Sequence, residues 1–340
     1  MKRISPVLYP ELPRLAAFTL LLCVSGILSY PSTGYGQLGV DTLTLKAPIR
    51  HEYRADRTAD ETLQNRTQYQ VAIRYSVGLS EAGDWGRLQL DGLAGTGSKY
   101  TSQWNTAYDA LGDSRDPHPF YMRQIFLHWR LKEIRAEFGV IPPVKGTVSA
   151  TSLDKDGWIR GGRFVTSIFS DGQLELVMGG LDRLTEPNAF QTWHSLNYFE
   201  VEWTQNWART HRFELGLVRL KQQQYSRAEI RLRSAESAMG VFEVSGEALW
   251  NHTSETHAID IGASAIWPWV TVSMEYAYVP EAFGILGLLS NDFLTNGHLL
   301  MGQLKGRLSS IKPLGWFLQQ HVGESVMNTK IGVSLTHEFY

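Results

Sequence analysis

From Gln64 to the end of the chain, apolar and polar residues alternate with a period of two. Tyr69, Val71, Ile73, Tyr75, Val77 and Leu79 interleave with Gln68, Gln70, Ala72, Arg74, Ser76 and Gly78. Ile125, Leu127, Trp129 and Leu131 interleave with Gln124, Phe126, His128 and Arg130. A strand puts successive side chains on opposite faces, so each run has one apolar and one polar face. Long helical periodicity is nearly absent. The pattern predicts strands near residues 47–54, 67–79, 85–94, 119–131, 134–141, 158–169, 173–182 and 196–206. It continues near 212–220, 225–234, 240–250, 256–266, 269–278, 297–308, 312–320 and 328–340. That makes about sixteen, with a range of roughly 14–18.

The connections carry a second rhythm. Short links fall at Ser80–Asp84, Lys132-Glu133, Ser170–Gly172, Ala208–His211, Trp267-Pro268 and around Ser309. Longer ones, Gly95–His118, Pro142–Gly157, Arg183–Ser195 and Val279–Asn296, alternate with them. The links around Gln222 and His252 are modest and fall on the long side. Short turns at one rim and long loops at the other fit an all-β, antiparallel transmembrane barrel with periplasmic turns and extracellular loops. An even strand count places both termini on the short-turn side.

The polar faces are charged. Pore-lining candidates are Arg74, His128, Arg130, Arg135, Glu137, Glu200, Glu202, Arg227, Glu229, Arg231 and Arg233, then Glu243, Glu247, Glu275, Lys305 and Arg307. Gln89, Asp91, Glu214 and Asp260 belong to the same faces. Unpaired charges are not tolerated in a dry core, so a wide barrel predicts a water-filled lumen around them. Inward aromatics are placed at Phe126, Tyr198 and Trp269, too scattered for a sugar slide.

At the N-terminus Lys2, Arg3 and Arg14 precede the apolar stretch Leu15–Leu28, and small residues follow. This is the layout of a signal peptide, residues 1–36, with cleavage expected before Gln37 and one barrel domain over 37–340. Cleavage would remove Cys23, the single cysteine, and with it any disulfide or thiolate site. Of 32 Lys+Arg and 34 Asp+Glu, residues 37–340 hold 29 and 33, a balance of −4. That balance argues against a nucleic-acid partner.

The last ten residues, IGVSLTHEFY, alternate and stop on two aromatics. They resemble the C-terminal signature of bacterial outer-membrane β-barrels. That resemblance implies a Gram-negative outer membrane, its lipid as surroundings, and recognition of Phe339 and Tyr340 by the barrel-assembly machinery. Ile49 to Gly78 resembles the opening hairpin of alginate-export-type porins, and Arg123–Trp129 with Ile134–Gly139 resembles their paired middle strands. In general porins the loop equivalent to Pro142–Gly157 folds inward. The resemblance makes Asp154, Lys155 and Asp156 constriction candidates, the other reading being an exposed acidic turn. It also admits a homotrimer. An inward acidic loop would face Arg227, Arg231 and Arg233 across the pore, with Glu200, Glu202 and Glu214 neutralising part of that wall.

Enzyme chemistry has little support. His194 and Ser195 are adjacent and would diverge on a strand, and no G-x-S-x-G elbow occurs. No histidine pair has metal-ligand spacing. The sequence therefore predicts a porin passing small polar solutes, without cofactor or metal. A substrate-specific sugar or polysaccharide channel, a lipase- or deacylase-like barrel and a non-conducting structural barrel are the alternatives.

Overall fold

The computed structural model describes residues 40–58, 63–79, 86–97, 105–106, 120–143, 153, 157–169, 171–181, 189–190, 195–208, 210–237, 240–286, 296–308, 314–324 and 326–339. β1 (Val40–Thr58) and β2 (Leu63–Leu79) are followed by β3 (Arg87–Thr96), the two-residue β4 (Asn105–Thr106) and β5 (Phe120–Leu131). Next come β6 (Ile134–Ile141), β7 (Ile159–Ile168), β8 (Gly172–Gly180), β9 (Tyr198–Trp207) and β10 (His211–Leu220). β11 (Gln223–Arg233), β12 (Val241–Asn251), β13 (Thr256–Ile266) and β14 (Val270–Val279) continue the series. β15 (Gly297–Arg307), β16 (Leu314–Gly323) and β17 (Val326–Phe339) complete it.

Every pairing is antiparallel; β4 lies beside β2 where β3 has ended, β3 goes on to pair with β5, and all other pairings but that of the first and last strands join sequence neighbours. Of the seventeen strands β4 alone stands outside the ring, which leaves sixteen. β1 pairs with β17 from Leu45↔Phe339 to Thr58↔Val326, so the sheet closes on itself and has no edge. The strands expected at 134–141 and 256–266 have those bounds. β1 is longer than its expected 47–54 because it is paired along its length on both sides. Only the ladder with β2 skips Ala47 and Pro48, where proline has no N–H to give.

The closed sheet is inside out. Leu215, Leu217, Ile230, Val244, Ile261, Met274, Ile331 and Val333 are exposed on the outer face. Glu214, Arg227, Glu229, Glu247 and Asp260, on alternate positions, are buried within. One residue per strand step decides which is which.

The short-turn rim is regular, with Lys132-Glu133 and residues 208–210 among its links. The opposite rim is long only in part, and the links expected to be modest around Gln222 and His252 are tight turns. Residues 97–119, 142–158, 181–197 and 280–296 form long connections, but Lys221-Gln222 is a two-residue turn and 252–255 a four-residue one. Lys221 and Glu255 take left-handed φ values of 55° and 56°, which is how such tight links reverse direction. The long-loop rim is therefore high over β3–β9 and low over β10–β13. The expected signal segment, residues 1–36, lies outside the described residues.

Candidate functional site

Inside the ring, Arg227 of β11 is the hub of an ion-pair network. Its guanidinium meets Glu202 of β9, Glu214 of β10 at 3.1 Å, Glu247 of β12 at 3.4 Å and Glu229 of its own strand at 3.7 Å. Register explains the convergence. Glu214 faces Glu229, Glu229 faces Glu247 and Glu247 faces Asp260, one row of carboxylates across four strands. Like charges at adjacent positions repel, so the row needs cations on both sides. Arg227 supplies one from the long-loop side. From the other side Arg212 contacts Glu214, and Arg231 approaches Glu229 at 3.7 Å and Glu243 at 3.6 Å.

A second knot joins β6, β7 and β8. Arg163 donates to Glu137 at 2.6 Å and to Glu175 at 2.9 Å, and its third arm reaches the carbonyl of Pro142 at 2.7 Å. Tyr198 donates to Glu200 at 2.6 Å beside it. These groups are nearly dry. The water-filled lumen expected around every inward charge is thus replaced, over β6–β13, by paired and packed charge.

The cover comes from the long-loop rim. Leu153, Trp158, Leu181, Ala189, Phe283 and Leu286, from three connections, pack on Ile141, Leu220, Tyr225, Leu249 and Val279 of the strand ends. Residues 280–286, after β14, are pinned inward. Asn251 donates to the Phe283 carbonyl at 2.7 Å, the Ile285 N–H to Gln223 at 3.0 Å, and the Leu286 N–H to Tyr225 at 3.4 Å. Gly284 makes the close approach possible. Its φ is +94°, and a Cβ there would stand 2.5 Å from the Gln223 amide oxygen. From the other direction, Ala189 donates its N–H to the Met122 carbonyl of β5 at 2.8 Å. The two ends of the 142–158 connection are also held inside: Gln124 donates to the Gly157 carbonyl at 2.6 Å, and Arg123 lies over the Trp158 ring at 5.0 Å. A bulge in the β3–β5 ladder lets Arg123 and its neighbour Gln124 both be buried.

Across the ring, over β1–β5, the interior opens. A cavity of about 220 Å³ is lined by Thr44, Lys46, Arg74, Ser76, Asp91 and Phe126 among others. Lys46 and Arg74 are register partners, as are Ser76 and Asp91. Asp91 accepts from Gln89 at 2.7 Å and lies 3.5 Å from His128. Further round, Lys330 of β17 is buried.

The sequence-predicted wall residues divide between these sectors. Glu137, Glu200, Glu202, Arg227, Glu229, Arg231, Glu243 and Glu247 join the packed network, with Arg135 3.7 Å from Glu137. Arg74 and His128 border the open sector. Arg130, Lys305 and Arg307 are exposed, and Glu275 faces Gly262 beside Asp260 on β13. Arg233 ends β11 in the open. Asp154, Lys155 and Asp156 lie outside the described residues, as does His194, while Ser195 sits exposed ahead of β9. Trp269, expected to point inward, is exposed in the turn between β13 and β14. Strand alternation does not extend through a turn. Arg163, Glu175, Arg212 and the inward segment 280–286 were not singled out from the sequence. The alternation of Arg163 and Arg212 with apolar neighbours was the available signal. Phe283 and Leu286 offered none.

Sequence comparison finds no matching family model and no match among curated proteins. Structural comparison finds outer-membrane porins. Acinetobacter baumannii OccAB3 superposes with a TM-score of 0.60 at 12% identity, over 88% of this chain and 100% of that one. Pseudomonas aeruginosa OccD3 (OpdP) gives 0.60 at 10%, over 93% and 97%. Pseudomonas aeruginosa OpdK, in its crystal structure with vanillate, gives 0.57 at 11%, over 88% and 100%. The chain has the bacterial outer-membrane porin fold.

Proposed function

We propose that this protein is a porin of a Gram-negative outer membrane, passing small hydrophilic solutes passively through a lumen narrowed by its own loops. The inverted burial carries the reading: a closed ring with aliphatic residues exposed outside and charges held within suits lipid around it and water through it. The porin fold supports it. Export with loss of residues 1–36, and recognition of Phe339 and Tyr340 during assembly, belong to the same proposal. Refolded protein in a planar bilayer should give discrete conductance steps. A protein that inserts and never conducts would overturn the reading in favour of a structural barrel.

A second, narrower reading is selectivity for small organic anions. The cavity beside Lys46 and Arg74 has Phe126 on its wall, a fit for an aromatic carboxylate such as the vanillate found with OpdK. Vanillate should then reduce conductance in the wild type and much less in Arg74→Gln. Arg74→Gln should also shift reversal potential toward cations at 0.1 M salt, and less at 1 M, where screening shortens to about 3 Å. Equal block in both proteins would leave only the general porin.

A further inference from the structure

The outer face is not apolar at every level. Where the long-loop rim is low, two adjacent outward rows change character. Phe199 of β9 pairs with Arg219 of β10, which pairs with Gln224 of β11. Ser226 of β11 pairs with Trp250 of β12, which pairs with His257 of β13. The Trp250 and His257 rings stack at 6.0 Å, and His252 lies 3.0 Å from the Ser226 hydroxyl. Lys221 follows Arg219 by two residues, exposed in its turn. All of these belong to the outer set by alternation or lie in the rim turns. With strands about 4.8 Å apart, the patch from β10 to β13 that holds Arg219 and His257 is roughly 15 Å wide.

The opposite rim of the same strands differs. Its outer face carries Trp203, Trp207, Phe213 and Phe242, while the exposed Arg233 at the end of β11 falls on the inward alternation. Aromatic residues at both rims are what an interfacial girdle needs. An outward-facing arginine beside those aromatics, with Lys221 in the adjoining turn, needs a further cause. Glu255 is the described acid of this low stretch, against Arg219 and Lys221. Turns of two and four residues do not overhang the patch, so a headgroup can reach it.

We propose that Arg219, Lys221, His252 and His257, set around Trp250, form a binding surface for the phosphate groups of an anionic glycolipid in the outer leaflet. This rests on the membrane placement proposed above. The guanidinium of Arg219 offers paired donors that match two phosphate oxygens, Lys221 adds a point charge, and Trp250 packs on the sugar or upper acyl region. The imidazoles contribute hydrogen-bonding nitrogens to the same patch.

The test uses the full refolded protein and diphosphorylated lipid A as probe. Insertion is first measured in zwitterionic phosphatidylcholine vesicles, and lipid A binding is then titrated in detergent by native mass spectrometry. The double variant Arg219→Gln/Lys221→Gln should insert as the wild type does and bind lipid A about ten- to thirtyfold more weakly, as expected for two cations near an anionic surface. Lys132→Gln, in a turn of the other rim, should bind as the wild type does. Three results would overturn the proposal: unchanged binding in the double variant, an equal loss in Lys132→Gln, or complete displacement of lipid A by millimolar inorganic phosphate, which would mean a free-ion site. A wild type that fails to insert would remove the membrane reading and this proposal with it. Insertion with unaltered lipid A binding removes this proposal alone.

Discussion

The two halves of the interior solve the same problem in opposite ways. Over β6–β13 the inward charges are brought together until Glu214, Glu229 and Glu247 of the row each have an arginine within reach, and hydrophobic loop residues then exclude water. Over β1–β5 a cavity remains between Arg74, Asp91 and Phe126. A barrel of this size has more circumference than its side chains can fill. Packing one side therefore determines where any passage runs, which is along the other side. What looks like one polar wall in the sequence is a plug and a path.

Substitutions that treat the sectors alike should have unlike effects. Arg227→Met leaves Glu202, Glu214, Glu229 and Glu247 facing one another in a dry site. It should cost about 3–5 kcal/mol in a urea refolding titration, while Arg74→Gln in the open sector should cost less than about 1 kcal/mol. Equal costs would erase the distinction. On the outer face, Leu215→Arg should cost about 2–4 kcal/mol, since it lies mid-strand against lipid although it neighbours Glu214 in sequence. A smaller loss than for Arg74→Gln would place β10 one residue out of register.

Gly284→Ala tests the cover. The added methyl meets Gln223 and occupies a left-handed position, so it should cost about 1–2 kcal/mol and release the 280–286 segment. Single-channel conductance should rise, and Asn251→Leu should raise it as well. Unchanged conductance in both would show that the segment does not narrow the path. The smallest effect is expected at Ala208, in a short-rim turn with φ of 52°. Ala208→Gly should add up to about 1 kcal/mol of stability and leave conductance alone, because it touches neither sector.

Much of the ring was legible because lipid and lumen impose opposite solvents on neighbouring positions. Val270 to Tyr278 shows the alternation plainly, and β13 had its bounds in advance. The inward set on β11, Arg227, Glu229, Arg231 and Arg233, followed from the same rule. Its partners did not. That Glu214, Glu229, Glu247 and Asp260 form one row depends on three registers, and register between hairpins is set by turn geometry and packing rather than by any one strand's pattern. The cover was less legible still. Leu153, Phe283 and Leu286 are ordinary apolar residues in connections without periodicity, and nothing local says that they turn inward. The two-residue turn at Lys221-Gln222 was hidden by a lysine where glycine or asparagine is the usual signal. β4 is too short to leave a pattern.

The seam between β1 and β17 has a consequence for the order of folding. Each other junction in the ring joins strands that follow one another in the chain and can form as a local hairpin. This one brings Leu45 to Phe339, across almost the full described length. Loop closure over that separation carries a length-dependent cost of about 5 kcal/mol, against about 1–2 kcal/mol for a tight hairpin. Contacts of such high sequence separation form slowly, so the barrel should spend the end of its folding as an open, curled sheet with two unsatisfied borders. The fourteen-position ladder from Leu45↔Phe339 to Thr58↔Val326 is the longest zipper beside β17, and its length supplies many hydrogen bonds once the first pair has met. Closure is then abrupt, and β1 and β17 both wait for the rest of the ring before either is fully paired.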